Sequence, residues 1–391
     1  MSIFFHCPKV DRKTPFAYTL NIKAFKTTLK ENINLKLKPL TIDDLTARIP
    51  IIQGGMGIGV SMSSLASAVA NAGGIGVISA AQVGFREPDF ENDNDAANLR
   101  GLRKEIQKAK SISPDGILGV NIMTATNNYA EQVRVCVEEK VNLIISGAGL
   151  PTNLPDMVKN SVTKIAPIVS SAKGAKVITK LWTKKYNYLP DLVVVEGPKA
   201  GGHLGFSPKV LSKPVLPSLK DIVSGVIEIL KPFEETFGKK IPVVAAGGIY
   251  TGKEIAEFIK LGASGVQMAT RFVATDECDA HINFKEAYVN ANDEEIKIVV
   301  SPLGMPGRAL YNKHVKTVEE SGKKIKKCFR CLKACNPATA PYCITEALVK
   351  AVEGDVEDGL VFIGAEGCKV DKIVPVQELM DELVTEAEAN L

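Results

Sequence analysis

The sequence predicts an α/β protein built as a TIM-type (β/α)8 barrel, and three observations support this fold. Eight short apolar runs rich in β-branched residues follow one another along the chain, separated by helical patterns. The runs are apolar throughout instead of alternating with polar residues, as expected for parallel strands covered on both faces. Their number matches the strand–helix units of such a barrel. A doubly wound open sheet is the alternative, because a strand count does not show closure.

The predicted strands are short and dominated by Ile, Val and Leu. They are IPIIQ from Ile49, IGVIS from Ile75, ILGVN from Ile117, NLIIS from Asn142, KIAPIV from Lys164, LVVVE from Leu192, IPVVAA from Ile241 and GVQMA from Gly265. Between them, SMSSLASAVANAG opens with serines that can cap a helix and closes on glycine. NYAEQVRVCVEE and TGKEIAEFIKLGA have apolar residues at helical spacing.

Three regions fall outside this repeat and suggest how the chain is organised. Residues 1–44 form a lysine-rich N-terminal extension, which we expect to supply a strand and a helix that close the bottom of the barrel. The barrel takes residues 45–312 and carries a long polar insertion at 84–115, a candidate cover for the active site. Residues 313–391 contain a basic loop, a cysteine cluster and amphipathic helices, and we expect them to form a lid or flank.

Composition narrows the class of protein. The chain has 391 residues, 45% of them hydrophobic, enough for a large core in one domain or two. Its net charge of +4 is small, and acidic and basic residues are interleaved, which argues against a nucleic-acid partner. No apolar run is long enough to span a membrane, and charge interrupts MSIFFHCPKVDRK too early for a secretory signal. We therefore expect a soluble, cytoplasmic protein.

Glycines follow almost every predicted strand, at the end where a barrel carries its active site. The segments are QGGMGIG, SGAG, EGPKAGGH and AAGGI. Glycine allows close approach of backbone N–H groups to a ligand, and successive N–H groups bind anions. A helix predicted just after Gly247 and Gly248 would point its N-terminus at a phosphate. The pattern predicts a phosphorylated cofactor, with tight strand-to-helix turns as the alternative.

Eight segments then occur in order over most of residues 48–290. They are IPIIQGGMG, GGIGVIS, GVNIM, SGAG, VEGPKAGGHLG, IPVVAAGGI, GASGVQMATRF and AHINFKE. Together they resemble the flavin-dependent nitronate monooxygenases, once called 2-nitropropane dioxygenases, and the related flavin-dependent enoyl-ACP reductases. The resemblance implies a TIM-type barrel that binds FMN and a small-molecule substrate, either a nitronate or an enoyl thioester. A homodimer is possible.

The resemblance also implies roles for individual residues. His203 matches the family's active-site histidine beside the reactive edge of the flavin, where an imidazole can take a proton from carbon or hold a nitronate. A histidine bonded only to backbone is the alternative. The implied flavin contacts are Gly54, Gly55 and Met56 along the isoalloxazine, Asn121 on the ring, Glu196 near the ribityl chain, Gly201 and Gly202 along the cofactor, and Gly247, Gly248, Gln267, Ala269 and Thr270 around the phosphate.

Other charged or titratable residues give weaker signals. His6 and His314 are expected to be solvated, and His281 to begin a helix. Lys199 departs from the family pattern, which commonly has an acid at this position. Its positive charge would either favour an anionic substrate or face water.

Both family activities need FMN and His203, but they differ in the source of electrons. A nitronate monooxygenase takes electrons from the nitronate and passes them to O2, whereas an enoyl-ACP reductase takes a hydride from NADH or NADPH. We expect the monooxygenase, with the NAD(P)H-dependent reductase as the alternative. A flavin-binding electron-transfer subunit without turnover of its own is a third possibility.

The stretch CFRCLKACNPATAPYC places Cys328, Cys331, Cys335 and Cys343 at the spacing C-x2-C-x3-C-x7-C. Four thiolates at short spacing can bind zinc or an iron–sulfur cluster. The first three resemble the cluster loop of flavin barrel enzymes of the dienoyl-CoA reductase type, and free thiols are the alternative. The other cysteines, Cys7, Cys136, Cys278 and Cys368, are expected to be buried or incidental.

Overall fold

The computed structural model describes residues 36–302 and 304–391. Most of the predicted N-terminal extension, including His6 and Cys7, lies outside the described residues. The strands, in chain order, are β1 (Leu40–Ile42), β2 (Leu45–Ala47), β3 (Ile51–Gln53), β4 (Ile75–Ser79), β5 (Ile117–Met123), β6 (Leu143–Gly147), β7 (Lys164–Val169), β8 (Val193–Glu196), β9 (Gly202–His203), β10 (Val243–Ala246), β11 (Gly265–Met268), β12 (Ile296–Val300) and β13 (Pro306–Leu310). The α-helices are α1 (Ser63–Asn71), α2 (Asn94–Ile112), α3 (Tyr129–Glu138), α4 (Leu154–Met157), α5 (Ala172–Tyr186), α6 (Pro208–Leu211), α7 (Leu219–Phe237), α8 (Gly252–Leu261), α9 (Thr270–Val273), α10 (Ile282–Val289), α11 (Lys313–Ser321), α12 (Ile344–Val352) and α13 (Val376–Ala389).

Eight of these strands close into a parallel barrel in the order β10-β11-β3-β4-β5-β6-β7-β8. They are the eight strands predicted from the sequence, shifted at their ends by at most two residues. The closed barrel confirms the predicted fold and rules out the open sheet. Its register aligns Ala246 with Glu196 on one side and with Gln267 on the other, so these residues reach the same level at the carboxyl end.

The helix of the eighth barrel unit comes from the far end of the chain. Helix α13 packs against both α8 and α1, which is the place in the ring between the last and the first strand. Its buried face is apolar and includes Leu379, Met380 and Leu383. The barrel therefore does not end at residue 312 as predicted, because residues 270–375 are inserted between β11 and its helix.

The predicted insertion at residues 84–115 is instead part of the barrel. Helix α2 links β4 to β5 and packs against α1 and α3 in the outer ring. Its polar surface obscured this role in the sequence, but it buries Leu102 and Ile106. Among the described residues, none from 84 to 115 lines the active-site cavity, so the prediction that this segment covers the cofactor was wrong.

The bottom of the barrel is closed by the hairpin β1–β2. Leu40, Ile42 and Ala47 of this hairpin pack with inward-facing strand residues such as Ile52 and Val77 in one buried apolar cluster. Strand β1 belongs to the predicted extension, whereas β2 belongs to the segment predicted as barrel. The rest of the extension, with the helix expected there, lies outside the described residues. Within the described residues, no helix is both long and apolar enough to cross a membrane.

A second sheet lies at the opposite, carboxyl end of the barrel. Strands β12 and β13 pair antiparallel, and β13 also pairs with the short β9, aligning Gly307 with His203. Part of the long insertion is thereby fixed beside the loop that follows β8. Below we call residues 293–369 the strap, because they run across this end of the barrel.

Candidate active site

A cavity of about 440 Å³ opens at the carboxyl ends of the barrel strands. This volume falls in the range typical of small-molecule sites. All the residues predicted to contact the cofactor line it, together with His203. The strap contributes Met305, Leu348 and Phe362 to the wall. The sequence predicted a lid or flank from residues 313–391, but not these individual residues.

His203 is held between the barrel and the strap. Its Nε2 lies 2.7 Å from the hydroxyl of Ser301, and its ring lies edge-on to Phe362 with 5.2 Å between centroids. Burial lowers the pKa of His203 to about 4, so the imidazole is neutral at pH 7. A neutral imidazole can accept a proton. The alternative of a histidine bonded only to backbone does not hold, because its partner is a side chain.

Arg308 on β13 fixes the loop that carries His203. Its Nη1 donates to the carbonyl oxygens of Pro198 and Ala200, at 2.8 and 2.5 Å. The side chain is buried, and desolvation lowers the pKa of Arg308 to about 10, so it remains cationic. Sequence reasoning missed both Arg308 and Ser301, because only the pairing of β13 with β9 brings them to the site.

Three polar side chains at the strand ends face the cavity. The carboxyl of Glu196 is shielded from bulk water, and burial raises its pKa to about 7. The Oε1 atom of Gln267 is buried and has no hydrogen-bond partner among the described residues. Asn121 donates weakly to the Ile145 carbonyl at 3.3 Å. Because an unpartnered buried oxygen costs free energy, Gln267 favours a ligand with a hydrogen-bond donor here.

Gly247 and Gly248 turn the chain at the end of β10 with φ of +87° and +96°. A Cβ at Gly247 would lie 2.9 Å from the carbonyl oxygen of Gly197, and one at Gly248 would lie 2.7 Å from the Cβ of Lys199. Only glycine fits both the conformation and the space. The resulting turn leaves room for a ligand beside the backbone.

The N–H groups at the start of α8, which were predicted to bind a phosphate, already have hydrogen-bond acceptors. Glu254 accepts from the N–H groups of Tyr250 and Thr251, at 2.7 and 2.9 Å, and Glu386 accepts from Gly252 at 2.8 Å. These carboxylates satisfy and neutralise the helix start. The predicted seat on α8 was therefore wrong. The N–H groups of Thr270 and Arg271, at the start of the four-residue α9 beside the cavity, have no partner within that helix, whereas those of Phe272 and Val273 donate to the Ala269 carbonyl. The first two are the better candidates.

Lys199 is exposed, in keeping with the alternative that it faces water, but its charge is paired. Its Nζ lies 2.7 Å from Oε1 of Glu366 in the strap, and Lys369 pairs with the other oxygen of the same carboxylate at 2.6 Å. The backbone carbonyl of Lys199 also accepts from the N–H of Ala365 at 3.0 Å. Lys199 therefore ties the loop after β8 to the strap.

The other two histidines among the described residues, His281 and His314, differ in their surroundings. His281 begins α10, and its Nδ1 accepts from the N–H of Asn283 at 3.2 Å, which confirms the structural prediction. His314 is only 2% exposed, so the prediction that it is solvated was wrong. It lies on the buried face of α11 against the ring of Tyr342, where burial lowers its pKa to about 4.

Most of the remaining cysteines behave as predicted. Cys136 and Cys278 are buried, and desolvation raises the pKa of both thiols. Cys368 is partly exposed, near Asp293. Among the described residues, no three His, Cys, Asp or Glu side chains are arranged as ready metal ligands.

The fold and the site together define a parallel barrel with a glycine-lined cavity at its carboxyl end and a half-buried histidine on the cavity wall. The model of the family described as nitronate monooxygenase matches residues 38–386. The chain therefore belongs to the nitronate monooxygenase family.

Individual relatives carry different names. The chain is 29% identical over 273 residues to (3aS,4S,5R,7aS)-5-hydroxy-7a-methyl-1-oxo-octahydro-1H-indene-4-carboxyl-CoA dehydrogenase of Rhodococcus jostii, covering 70% of this chain and 65% of that protein. It is 23% identical over 299 residues to a probable nitronate monooxygenase of Staphylococcus aureus, covering 71% of this chain and 79% of the other.

Two solved structures share the fold over nearly the whole chain. FabK from Thermotoga maritima is 31% identical, with a TM-score of 0.68, and the match covers 87% of this chain and 93% of that one. Nitroalkane oxidase from Streptomyces ansochromogenes has a TM-score of 0.67 and covers 88% of this chain and 96% of the other. At 21% identity, the second likeness shows the fold alone.

Proposed function

We propose that the protein is an FMN-dependent oxidoreductase of the nitronate monooxygenase type, with His203 as its catalytic base. The observation that carries this proposal is the position of His203 on the wall of a glycine-lined cavity at the carboxyl ends of the strands. When bound, the flavin would accept the electrons of the substrate. The chain itself would position the substrate and move the proton.

The lining of the cavity fits FMN. Gly55 would lie along the flavin ring, where any side chain would collide with Asn121, because a Cβ at Gly55 would lie 2.3 Å from the Asn121 Cβ. The unpartnered Oε1 of Gln267 would accept a hydrogen bond from the cofactor. The phosphate would lie near Gly248 and the first N–H groups of α9 at Thr270.

The proton chemistry follows from the surroundings of His203. A nitroalkane is a carbon acid, and the neutral imidazole can accept its proton at Nδ1 or Nε2. The hydroxyl of Ser301, 2.7 Å from Nε2, fixes the ring orientation and can stabilise the protonated ring by accepting its hydrogen bond. Since Glu366 pairs with Lys199, the cavity does not rely on that lysine to attract an anion. The site thus suits a neutral nitroalkane as well as its nitronate.

A second candidate is an NAD(P)H-dependent enoyl thioester reductase. It is favoured by the similarity to the CoA dehydrogenase of Rhodococcus jostii, whose name specifies a thioester, and by the family resemblance to enoyl-ACP reductases. In this reaction the imidazole would deliver or accept the proton at the carbon beside the thioester. The two candidates share FMN and His203 but differ in both the electron donor and the electron acceptor, which are a nitronate and O2 in the first and NAD(P)H and an enoyl thioester in the second.

The visible spectrum of the purified protein under nitrogen distinguishes these candidates. We expect bound oxidised flavin that loses its colour on addition of an alkyl nitronate or a nitroalkane, and not on addition of NADH or NADPH. Rapid bleaching by a nicotinamide nucleotide would overturn the monooxygenase in favour of the reductase. Flavin that responds to none of them would overturn both and indicate an electron-transfer subunit. Protein without flavin would refute the cofactor.

A further inference from the structure

Three residues of the strap, Ile363, Gly364 and Glu366, line the cavity. A Cβ at Gly364 would lie 2.6 Å from Oγ1 of Thr270 and 3.8 Å from the backbone nitrogen of Gly201. The strap backbone therefore fits closely between two residues that were predicted to contact the cofactor. We call the part of the cavity between Gly201, Thr270 and Gly364 the cofactor end, and the position of the strap sets its width.

Glu366 connects this part of the strap to the loop after β8. Its Oε1 lies 2.7 Å from Nζ of Lys199, and its Oε2 lies 2.6 Å from Nζ of Lys369. The Lys199 side chain also lies against the turn after β10, since a Cβ at Gly248 would be 2.7 Å from the Cβ of Lys199. The ion pair of Glu366 with Lys199 therefore joins the strap to the loop after β8 and, through it, to the turn after β10.

We propose that Glu366 is a positioning residue for the cofactor, which holds the strap against the cofactor end through Lys199 and thereby slows the release of bound FMN. The inference rests on the FMN proposed above. A cofactor that leaves at this end needs the strap and the loop after β8 to move apart. That movement breaks the ion pair and the backbone hydrogen bond from the N–H of Ala365 to the Lys199 carbonyl, which is 3.0 Å long. A substitution can remove the ion pair without altering the backbone.

The pair of Glu366 with Lys199 is partly shielded from water. Exposed ion pairs contribute little, because water screens the charges and ordering two long side chains costs entropy. The Glu366 side chain is 15% exposed and has one lysine on each of its oxygens. Because the Lys199 side chain is 53% exposed, we expect an effect within the range of surface pairs, towards its upper end.

The sign of the effect of Glu366→Gln separates this role from a direct electrostatic one. Glu366 lines the cavity, and its negative charge would repel the phosphate of FMN if it acted on the cofactor by charge alone. In that case Glu366→Gln would slow FMN release, because Lys199 and Lys369 would be left to attract the phosphate. If Glu366 instead holds the strap, the same substitution speeds FMN release.

Dilution of the FMN-loaded protein, followed by flavin fluorescence, measures the rate of FMN release. We expect Glu366→Gln to raise this rate by about two- to fivefold, the range for loss of a partly exposed ion pair. Glu257→Gln is the matched control, because Glu257 pairs at 2.8 Å with Lys220, which is 53% exposed like Lys199, and neither residue lines the cavity. Its rate of FMN release should equal that of the parent protein.

Lys199→Gln removes the other partner of the pair. It should also release FMN faster than the parent, and the double variant should be no faster than the faster single variant, because both substitutions break the same link. Unchanged or slower release in folded Glu366→Gln would overturn the inference. Should Glu366→Gln fail to fold by circular dichroism, equal release in Lys199→Gln and the parent would overturn it. Protein that binds no FMN would overturn the proposed function as well, whereas bound FMN that the variants release at the parent rate would overturn this inference alone.

Discussion

The two ends of the barrel are made by the same eight strands but have opposite chemistry. At the amino end, the hairpin β1–β2 fills the opening with Leu40, Ile42 and Ala47, all buried. At the carboxyl end, the strands finish in glycine and polar residues around a cavity. The comparison indicates that the amino end stabilises the fold, whereas the carboxyl end leaves a cavity that can hold a ligand. Substitutions at each end should therefore have different effects.

The largest expected effect on cofactor binding is at the turn after β10. Gly247→Val would place a branched side chain at φ +87° and against the Gly197 carbonyl, displacing the loop that lines the cavity. We expect FMN affinity to fall by roughly 100-fold, which is about 2.8 kcal/mol. Flavin content after dialysis measures this. Gly238→Val is the control, because Gly238 has φ +62° but open space around it. Unchanged flavin in Gly247→Val would refute this part of the site.

His203→Ala tests whether proton transfer and cofactor binding depend on different residues at the carboxyl end. Removal of the base should lower kcat by about 100- to 10,000-fold, whereas flavin content should stay the same. His281→Asn is the control, since asparagine can also cap α10. Turnover that survives in His203→Ala would mean that another group moves the proton.

At the amino end, Ile42→Ala should affect stability alone. Ile42 is 1% exposed within the apolar cluster, so its truncation should cost about 2–5 kcal/mol of unfolding free energy. Denaturant unfolding measures the loss, and KM and kcat of the folded fraction should match those of the parent. A change in KM without a loss of stability would contradict the separation of the two ends.

The barrel itself could be predicted because its strands are short apolar runs whose pattern is local. The place of α13 could not, since its amphipathic pattern is visible but more than a hundred residues separate it from β11. His314 was misjudged because its lysine-rich neighbours suggested an exposed loop, whereas the segment folds as a helix with one buried face.

In the candidate site, too, some residues could be predicted from the sequence and others could not. The glycines and His203 stand in recognisable segments, so the barrel residues on the cavity wall could be predicted from the sequence. Their partners did not, because Ser301 and Arg308 reach the site only through the antiparallel pairing of β13 with β9. That pairing joins residues about a hundred positions apart, and no local pattern encodes it.

Ser301→Ala tests how much one hydrogen bond at the carboxyl end contributes to turnover. Without the hydroxyl, the His203 ring loses the partner that orients it. A hydrogen bond of this kind contributes about 0.5–1.5 kcal/mol, so kcat should fall by up to about tenfold. KM and flavin content should change little, and Ser301→Thr, which keeps the hydroxyl, should restore most of the rate. An unchanged kcat in Ser301→Ala would show that the contact has no role in turnover.

The last expected effect concerns Glu196 and depends on pH. Burial raises the pKa of this carboxyl to about 7, from an ordinary value of 4.5 that applies in the unfolded chain. Between these values the folded protein holds a proton that the unfolded chain has released, so stability falls as pH rises through this window. Glu196→Gln, which cannot ionise, should therefore stabilise the protein at pH 8 and have little effect at pH 4.5. Thermal unfolding of the parent protein and of Glu196→Gln, followed from pH 4.5 to pH 8 without added flavin, measures the difference in stability. A gain of equal size at both pH values would mean that the surroundings of Glu196 do not hold it protonated.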